Sequence, residues 1–207
     1  MNKAEKVLEY LENIIPNPVC ELNYNKDYEL LIAVMLSAQT TDKRVNIVTK
    51  ELFSKYDNLD KLSNASLKDV ERIIKTLGNY TKKSKAVIEI AKQVKKWGHV
   101  PNNRKLLESL PMVGRKTVSV VLSEIYKEPN IAVDTHVERV SKRLGLARKN
   151  ASVLEVEKSL KRKIKKEKWC DTHLRMVHFG RYYCTAKKPL CEDCKLKSFC
   201  KYKKDKN

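Results

Sequence analysis

Apolar residues recur along most of the chain at the three- and four-residue spacing that is typical of amphipathic helices. The segment 30–36 is apolar on all sides, which predicts a buried helix. No segment alternates convincingly between apolar and polar residues, so we predict an all-α fold. The predicted helices cover, in chain order, residues 2–15, 27–36, 42–53, 66–77, 82–97, 117–126, 138–144, 152–166 and 171–182.

Capping residues support several of these helix ends. Asn2 and Glu5 have the spacing of a capping box, as do Ser152 and Glu155. Asp27 is placed to cap the second helix. There is no tandem repeat and no low-complexity linker, so we expect one large domain or two small ones within the 207 residues.

The charge of the chain narrows the choice of partner. It carries 44 Lys and Arg against 25 Asp and Glu, a formal net charge of +19, and residues 151–207 contribute +10 of it. A lysine-rich composition alone explains part of this excess, but not its clustering. The clustering favours a polyanionic partner, either nucleic-acid phosphates or an acidic membrane surface.

Membrane insertion and secretion are not expected. The longest unbroken apolar run, 30–36, is far shorter than the ~20 residues that a bilayer-spanning helix needs. The N-terminus also lacks the apolar region of a secretory signal. We therefore expect a cytoplasmic protein whose six cysteines stay reduced.

Four of the cysteines form a compact motif near the C-terminus. Cys184, Cys191, Cys194 and Cys200 have the pattern C-x6-C-x2-C-x5-C, which predicts a metal centre. Zinc ribbons usually have two short C-x2-C pairs, and only the middle pair here is short. A larger iron–sulfur cluster can span the wider gaps. The spacing alone leaves zinc and iron open.

A second motif lies at 110–117, where Leu-Pro-Met-Val-Gly-Arg-Lys-Thr predicts two helices joined by a tight turn. The pattern resembles a helix-hairpin-helix motif. Such a turn directs backbone N–H groups outward beside a helix N-terminus, which suits a DNA phosphate without sequence preference. We expect Met112, Val113, Gly114 and Arg115 to contact DNA.

Two residues near this motif are catalytic candidates. Lys116 is either a phosphate contact or a nucleophile, because the positive end of a helix helps to keep an amine neutral and reactive. Asp134 is either a helix N-cap or a catalytic carboxylate. Thr135 and Glu138 offer a rival capping box that would leave Asp134 available for chemistry.

These motifs together resemble the endonuclease III family of DNA glycosylases with an associated lyase activity. The resemblance rests on the hairpin with Lys116, on the Val-Asp-Thr-His stretch at 133–136 and on the four-cysteine tail. The segments 36–42 and 178–182 also look like family segments, and the likeness covers roughly residues 3–200.

The resemblance implies two helical domains with a cleft between them that holds the active site. A six-helix barrel near 22–132 would carry the hairpin, and residues 1–21 plus 133–207 would form the cluster domain. The four cysteines would hold a 4Fe-4S cluster rather than zinc. The partner would be double-stranded DNA with damaged bases or abasic sites, and the enzyme would act as a monomer associated with the nucleoid.

The resemblance also implies roles for individual residues. Lys116 would attack C1′ of the damaged nucleotide, expel the base and cleave the strand by β-elimination through a Schiff base. Asp134 would stabilise the positive charge on the sugar. Gln39 would fill the gap left in the duplex, and Asn79 and His136 would be further DNA contacts. The implied substrates are oxidised pyrimidines.

The sequence departs from the family pattern at two positions. Met112 stands where the family hairpin has its first glycine, which predicts either a strained Met112 or a turn shifted toward type I. Asn79 stands where a bulky apolar wedge is usual, so lesion probing would be weaker or shared with a neighbour.

Three other functions remain open from the sequence. The adenine-mismatch glycosylases share the hairpin and cluster but typically lack the lysine, and they carry a glutamate in the segment that corresponds to 37–42. This chain has Lys116 and no glutamate there. An alkyl-base glycosylase is harder to exclude, and a non-catalytic, metal-stapled DNA-binding module is the alternative from another class.

Overall fold

The structure, a computed structural model, describes residues 2–204. Within this range every regular element is a helix, which confirms the all-α prediction. The α-helices are α1 (Lys3–Ile14), α2 (Asp27–Leu36), α3 (Asp42–Lys55), α4 (Leu59–Ser63), α5 (Leu67–Ile74), α6 (Tyr80–Trp97), α7 (Arg104–Glu108), α8 (Arg115–Tyr126), α9 (Thr135–Arg143), α10 (Val153–Lys163), α11 (Trp169–His178) and α12 (Lys201–Lys204). Short 3₁₀ helices lie at Lys166–Lys168 and Lys197–Phe199, and a π-helical turn covers Phe179–Tyr183.

The chain divides into two compact units. One unit is Cys20–Tyr126, and the other combines Met1–Val19 with Lys127–Asn207. We call them the hairpin unit and the cysteine unit, after the motifs they contain. The assignment of a six-helix barrel to 22–132 and of a cluster domain to the remaining residues stays a prediction.

The hairpin unit is built around α2. Residues 30–36 are all buried, as their uniformly apolar character predicts, and α2 packs against α3, α6 and α8. The prediction that Asp27 caps this helix is wrong, because Lys26 occupies the N-cap and Asp27 is the first helical residue. The Asp27 carboxylate instead accepts a hydrogen bond from Val100 N at 2.8 Å.

The cysteine unit packs α1, α9, α10 and α11 around a second apolar core. Both predicted capping boxes, at Asn2 and at Ser152, are present. Arg175 of α11 is buried and donates hydrogen bonds to the carbonyl oxygens of Ile15 and Pro16, each at 3.0 Å. This contact ties the end of α1 to α11, although the two are far apart in sequence.

Among residues 2–204, no helix combines the length and the apolar character that crossing a membrane requires.

Candidate functional site

The predicted hairpin is formed by α7, a tight turn and α8. The turn closes with a hydrogen bond from Val113 N to Leu110 O at 3.2 Å, and Val113 itself is buried. Met112, the third residue of the turn, has φ 61° and is 42 % exposed. A type II turn needs a left-handed residue at this position, and glycine usually provides it. The expectation of a strained Met112 is therefore confirmed, and the turn keeps its left-handed residue.

Arg115 and Lys116 are the first two residues of α8, and both side chains are exposed. The first backbone N–H groups of a helix have no acceptor within the helix, so this end of α8 attracts anions. Gly114 precedes the helix, and a Cβ added there would meet no atom within 4 Å. Packing within the chain therefore does not require a glycine at position 114.

Asp134 is the N-cap of α9. Its Oδ1 accepts hydrogen bonds from the backbone N–H groups of His136 at 2.9 Å and Val137 at 2.8 Å. The rival capping box of Thr135 and Glu138 is wrong, since the Asp134 side chain already binds these amides. Glu138 instead pairs with Lys142, at 2.6 Å. The half-buried Asp134 carboxylate is thus held in one orientation.

His136 lies under the π-helical turn that follows α11. A Cβ on Gly180 would come within 2.8 Å of the His136 Cβ, so position 180 has no room for a side chain. Burial lowers the pKa of His136 and outweighs the opposing charge of Asp134, and the nearby cations Arg139 and Arg181 lower the pKa further. The imidazole is therefore mainly neutral at neutral pH.

The remaining DNA-contact candidates are two residues with left-handed backbones. Gln39, between α2 and α3, has φ 58°, and Asn79, immediately before α6, has φ 56°. Both are exposed. Within residues 2–204, Met112 and Lys127 are the other non-glycine residues with positive φ. Backbone strain often marks functional sites, and three of these four residues are ones that the sequence singled out.

The catalytic candidates belong to different units, Lys116 to the hairpin unit and Asp134 to the cysteine unit. Within the hairpin unit, Lys116 follows directly on the hairpin. Within the cysteine unit, the structure brings together Asp134, His136 and Gly180.

The four C-terminal cysteines are free and half-buried. Burial raises the pKa of the Cys194 thiol, and the charges of Cys184, Cys200 and Cys191 add to this effect. Among the described residues, no three His, Cys, Asp or Glu side chains are arranged around one ion position. A cubane does not require such convergence, because each thiolate binds a different iron. A four-sulfur donor set of this kind fits a 4Fe-4S cluster.

The sequence did not predict the arginines that surround the first cysteine. Arg143 of α9 donates hydrogen bonds to Thr185 O at 2.7 Å and to Cys184 Sγ at 3.3 Å, and its guanidinium lies 3.9 Å from the Tyr202 ring centre. Arg139, one turn earlier, donates to Cys184 O at 3.1 Å. Their i, i+4 spacing on a predicted helix was the available signal, but only the fold reveals what they bind.

The sequence also missed Lys83 of α6, which is 1 % exposed. Its Nζ donates hydrogen bonds to Leu36 O at 2.8 Å and Ala38 O at 2.9 Å. Burial lowers the pKa of this ammonium group.

Comparisons with known proteins agree with the motifs. Residues 32–166 match the family model described as HhH-GPD superfamily base excision DNA repair protein, and residues 184–200 match the iron-sulfur binding domain of endonuclease III. Endonuclease III of Bacillus subtilis (strain 168) is 46 % identical over 100 % of this chain and 96 % of its own length.

Two solved structures are similar over the whole chain. A trapped endonuclease III–DNA covalent intermediate has a TM-score of 0.92 and 45 % identity, and covers 100 % of this chain and 99 % of its own. A non-covalent endonuclease III–DNA complex has a TM-score of 0.93 and 45 % identity, and covers 100 % and 98 %. The chain therefore belongs to the endonuclease III family, within the HhH-GPD superfamily of base excision DNA repair proteins.

Proposed function

We propose that this chain excises oxidised pyrimidines from duplex DNA as a DNA glycosylase and then cleaves the strand as an AP lyase. The observation that carries the proposal is the position of Lys116, exposed in the first turn of α8 directly after the hairpin. A relative with 45 % identity has been trapped as a covalent intermediate with DNA, which supports a nucleophile of this kind.

The proposed reaction needs one amine and one carboxylate. The neutral Nζ of Lys116 forms a bond to C1′ while the bond from C1′ to the damaged base breaks, and the base leaves with a proton. The nitrogen then forms a double bond to C1′ while the C1′–O4′ bond of the sugar ring breaks, and O4′ takes up a proton from water. The resulting protonated Schiff base acidifies the C2′ protons. Loss of that proton expels the 3′ phosphate by β-elimination and breaks the strand.

Asp134 would stabilise the positive charge that develops on the sugar. Its Oδ1 is bound by two backbone amides of α9, which hold the carboxylate in place without neutralising it. A preoriented charge costs little reorganisation when the transition state forms, and this is how fixed groups contribute most to catalysis.

The hairpin would hold one phosphate of the damaged strand. The open space around Gly114 supports this role, because a position that packing leaves free for a side chain is suited to the close approach of a phosphate. Met112, Val113 and Arg115 would complete the contact.

A damaged base must leave the stack before the amine can reach C1′. Moving a base out of the stack costs a few kcal/mol, and this cost is lower for a damaged base than for an intact one. Gln39 would enter the gap that the base leaves. Asn79 and His136 would be further contacts to the DNA, and Asn79 would probe the duplex by hydrogen bonding rather than as an apolar wedge.

Cys184, Cys191, Cys194 and Cys200 would hold the 4Fe-4S cluster, which supplies iron–thiolate bonds that join distant parts of the loop. Buried apolar residues are scarce in 184–200, where Leu196 is the buried one. The loop therefore depends on those bonds for a fixed shape. We further propose that the protein acts as a monomer in the cytoplasm, associated with the nucleoid.

Borohydride trapping tests the proposal. Reduction should link the protein covalently to a duplex that contains thymine glycol or an abasic site, and Lys116→Gln should abolish the adduct. Lys105→Gln in α7 is the matched control, because it removes the same charge from an exposed helical position for which no DNA contact is proposed, and it should still give the adduct.

A substrate panel then tests the specificity. We expect release of thymine glycol and no release of alkylated bases or mismatched adenine. Trapping that survives in Lys116→Gln would remove Lys116 from the mechanism, and preferential release of an alkylated base or of mismatched adenine would assign the chain to another branch of the superfamily.

A further inference from the structure

Lys83 occupies a core position of α6. It stands on the same helical face as Val87, Ile90 and Val94, and all four side chains are buried. A lysine in such a place loses the hydration of its ammonium group, so the fold must supply hydrogen-bond acceptors in return.

The acceptors of Lys83 all lie at the C-terminal end of α2 and in the loop that follows it. Its Nζ donates hydrogen bonds to Leu36 O at 2.8 Å, to Ala38 O at 2.9 Å and to Thr40 Oγ1 at 3.5 Å. An ammonium has three N–H donors, so these contacts account for each of them. The loop begins at the C-terminal end of α2, where a helix carries a partial negative charge that favours a cation.

The loop that Lys83 binds is strained at its centre. Gln39, with φ 58°, lies between Ala38 and Thr40, the two residues whose oxygen atoms the ammonium contacts. A non-glycine residue keeps this conformation only when its surroundings hold it there.

The backbone of Lys83 reaches a second strained residue. Its N–H donates a hydrogen bond to Asn79 O at 3.0 Å, and Asn79 has φ 56°. One residue therefore connects the Gln39 loop to the start of α6.

We propose that Lys83 is a positioning residue that fixes the 37–40 loop so that Gln39 is preorganised to enter the gap in the duplex. The inference rests on the proposed function, in which Gln39 fills that gap. Lys83 does not contact the reacting atoms. It acts through Gln39, and its contribution is confined to substrates that have an opposite strand.

Lys83→Met tests this role, because methionine keeps most of the length of the buried side chain and removes the donors. Affinity for a duplex with a non-cleavable abasic analogue should fall by roughly tenfold, as it should in Gln39→Ala. The double variant should be no weaker than either single variant, because both changes remove the same contact. Cleavage of a single-stranded abasic oligonucleotide should stay within about twofold of the original chain, because no gap exists there to fill.

Two further variants separate positioning from general stability. Thr40→Val removes the longest of the three bonds and should weaken duplex affinity in the same direction by a smaller factor. Val94→Ala, on the same buried face of α6, should lower the melting temperature and leave duplex affinity unchanged.

Additive losses in the double variant, or equal losses on duplex and single-stranded substrates, would overturn the positioning role. If Gln39→Ala binds the duplex normally, the positioning role is also overturned, while the lyase remains testable by borohydride trapping. If the unsubstituted protein forms no covalent adduct with any abasic substrate, the proposed function itself is wrong.

Discussion

At the scale of single residues, Met112 keeps the backbone conformation that glycine usually provides in such a turn, and this conformation costs free energy. The turn keeps a left-handed residue although a side chain is present, with φ 61°. This conformation costs a non-glycine residue about 1–2 kcal/mol. Replacing Met112 with glycine would remove this cost, but glycine has more chain entropy in the unfolded state. That entropy offsets about 0.5–1 kcal/mol of the stability gained.

We therefore expect Met112→Gly to raise the free energy of unfolding by roughly 0.5–1 kcal/mol. Little packing would be lost, because Met112 is 42 % exposed. Urea unfolding measures the change, and Met112→Ala is the control that removes the side chain but keeps the strain. A glycine variant that is less stable than the alanine variant by the full entropy cost of glycine, about 0.5–1 kcal/mol, would show that strain at position 112 is negligible.

Single residues also show which parts of the site could be predicted from the sequence and which could not. The pattern singled out Lys116, Asp134 and the cysteines as candidates because each lies in a distinctive local motif. Lys83 has no such motif, and its i+4 and i+7 apolar neighbours gave the only signal. Its acceptors are Leu36 and Ala38, more than forty positions away, so only the fold could reveal its role.

At the scale of helices, the start of α9 has a structural role and a proposed catalytic role. Asp134 is the N-cap of this helix and also the candidate catalytic carboxylate. The two roles can be separated, since asparagine caps a helix about as well as aspartate but carries no charge. Asp134→Asn should leave the free energy of unfolding within about 0.5 kcal/mol, whereas Asp134→Ala should lose about 1 kcal/mol. Both should lower single-turnover base release by about 10²–10³-fold, because both remove the charge.

Thermal unfolding and single-turnover assays of the two variants check this prediction. If Asp134→Asn retains the original rate of base release, the carboxylate serves only as a cap. If the rate falls only in Asp134→Ala, then the cap geometry rather than the charge matters for catalysis.

Helix periodicity predicted the long elements well and the short ones poorly. The segment 30–36 lies in a buried helix because it is apolar on every side. The five-residue helix α4 escaped prediction, and α7 was predicted only as the first helix of the hairpin motif, because a pattern with a period of 3.6 residues needs several turns to appear. The π-helical turn at Phe179–Tyr183 also escaped, since its close contact with His136 is tertiary.

At the scale of the whole molecule, the net charge of +19 predicts DNA binding that depends strongly on salt. Each phosphate that the protein neutralises releases counterions, so the logarithm of the binding constant falls linearly with the logarithm of the salt concentration. Contact with about 6–10 phosphates would weaken binding to undamaged duplex by about 10³–10⁵-fold between about 50 and 200 mM salt. Fluorescence anisotropy over that range measures the slope.

The location of the charge should matter more than its amount. Lys187 and Lys188 are exposed in the loop between Cys184 and Cys191. Lys61 and Lys95 instead form ion pairs, with Asp57 at 3.0 Å and with Asp60 at 2.5 Å respectively. Changing either pair to glutamine lowers the net charge equally. If the loop lies on the phosphate backbone, only the loop variant should reduce the salt slope, by about 0.9 for each lost contact. Equal slopes for both variants would mean that these loop lysines are solvated, and that the excess charge acts only as a long-range field that attracts DNA.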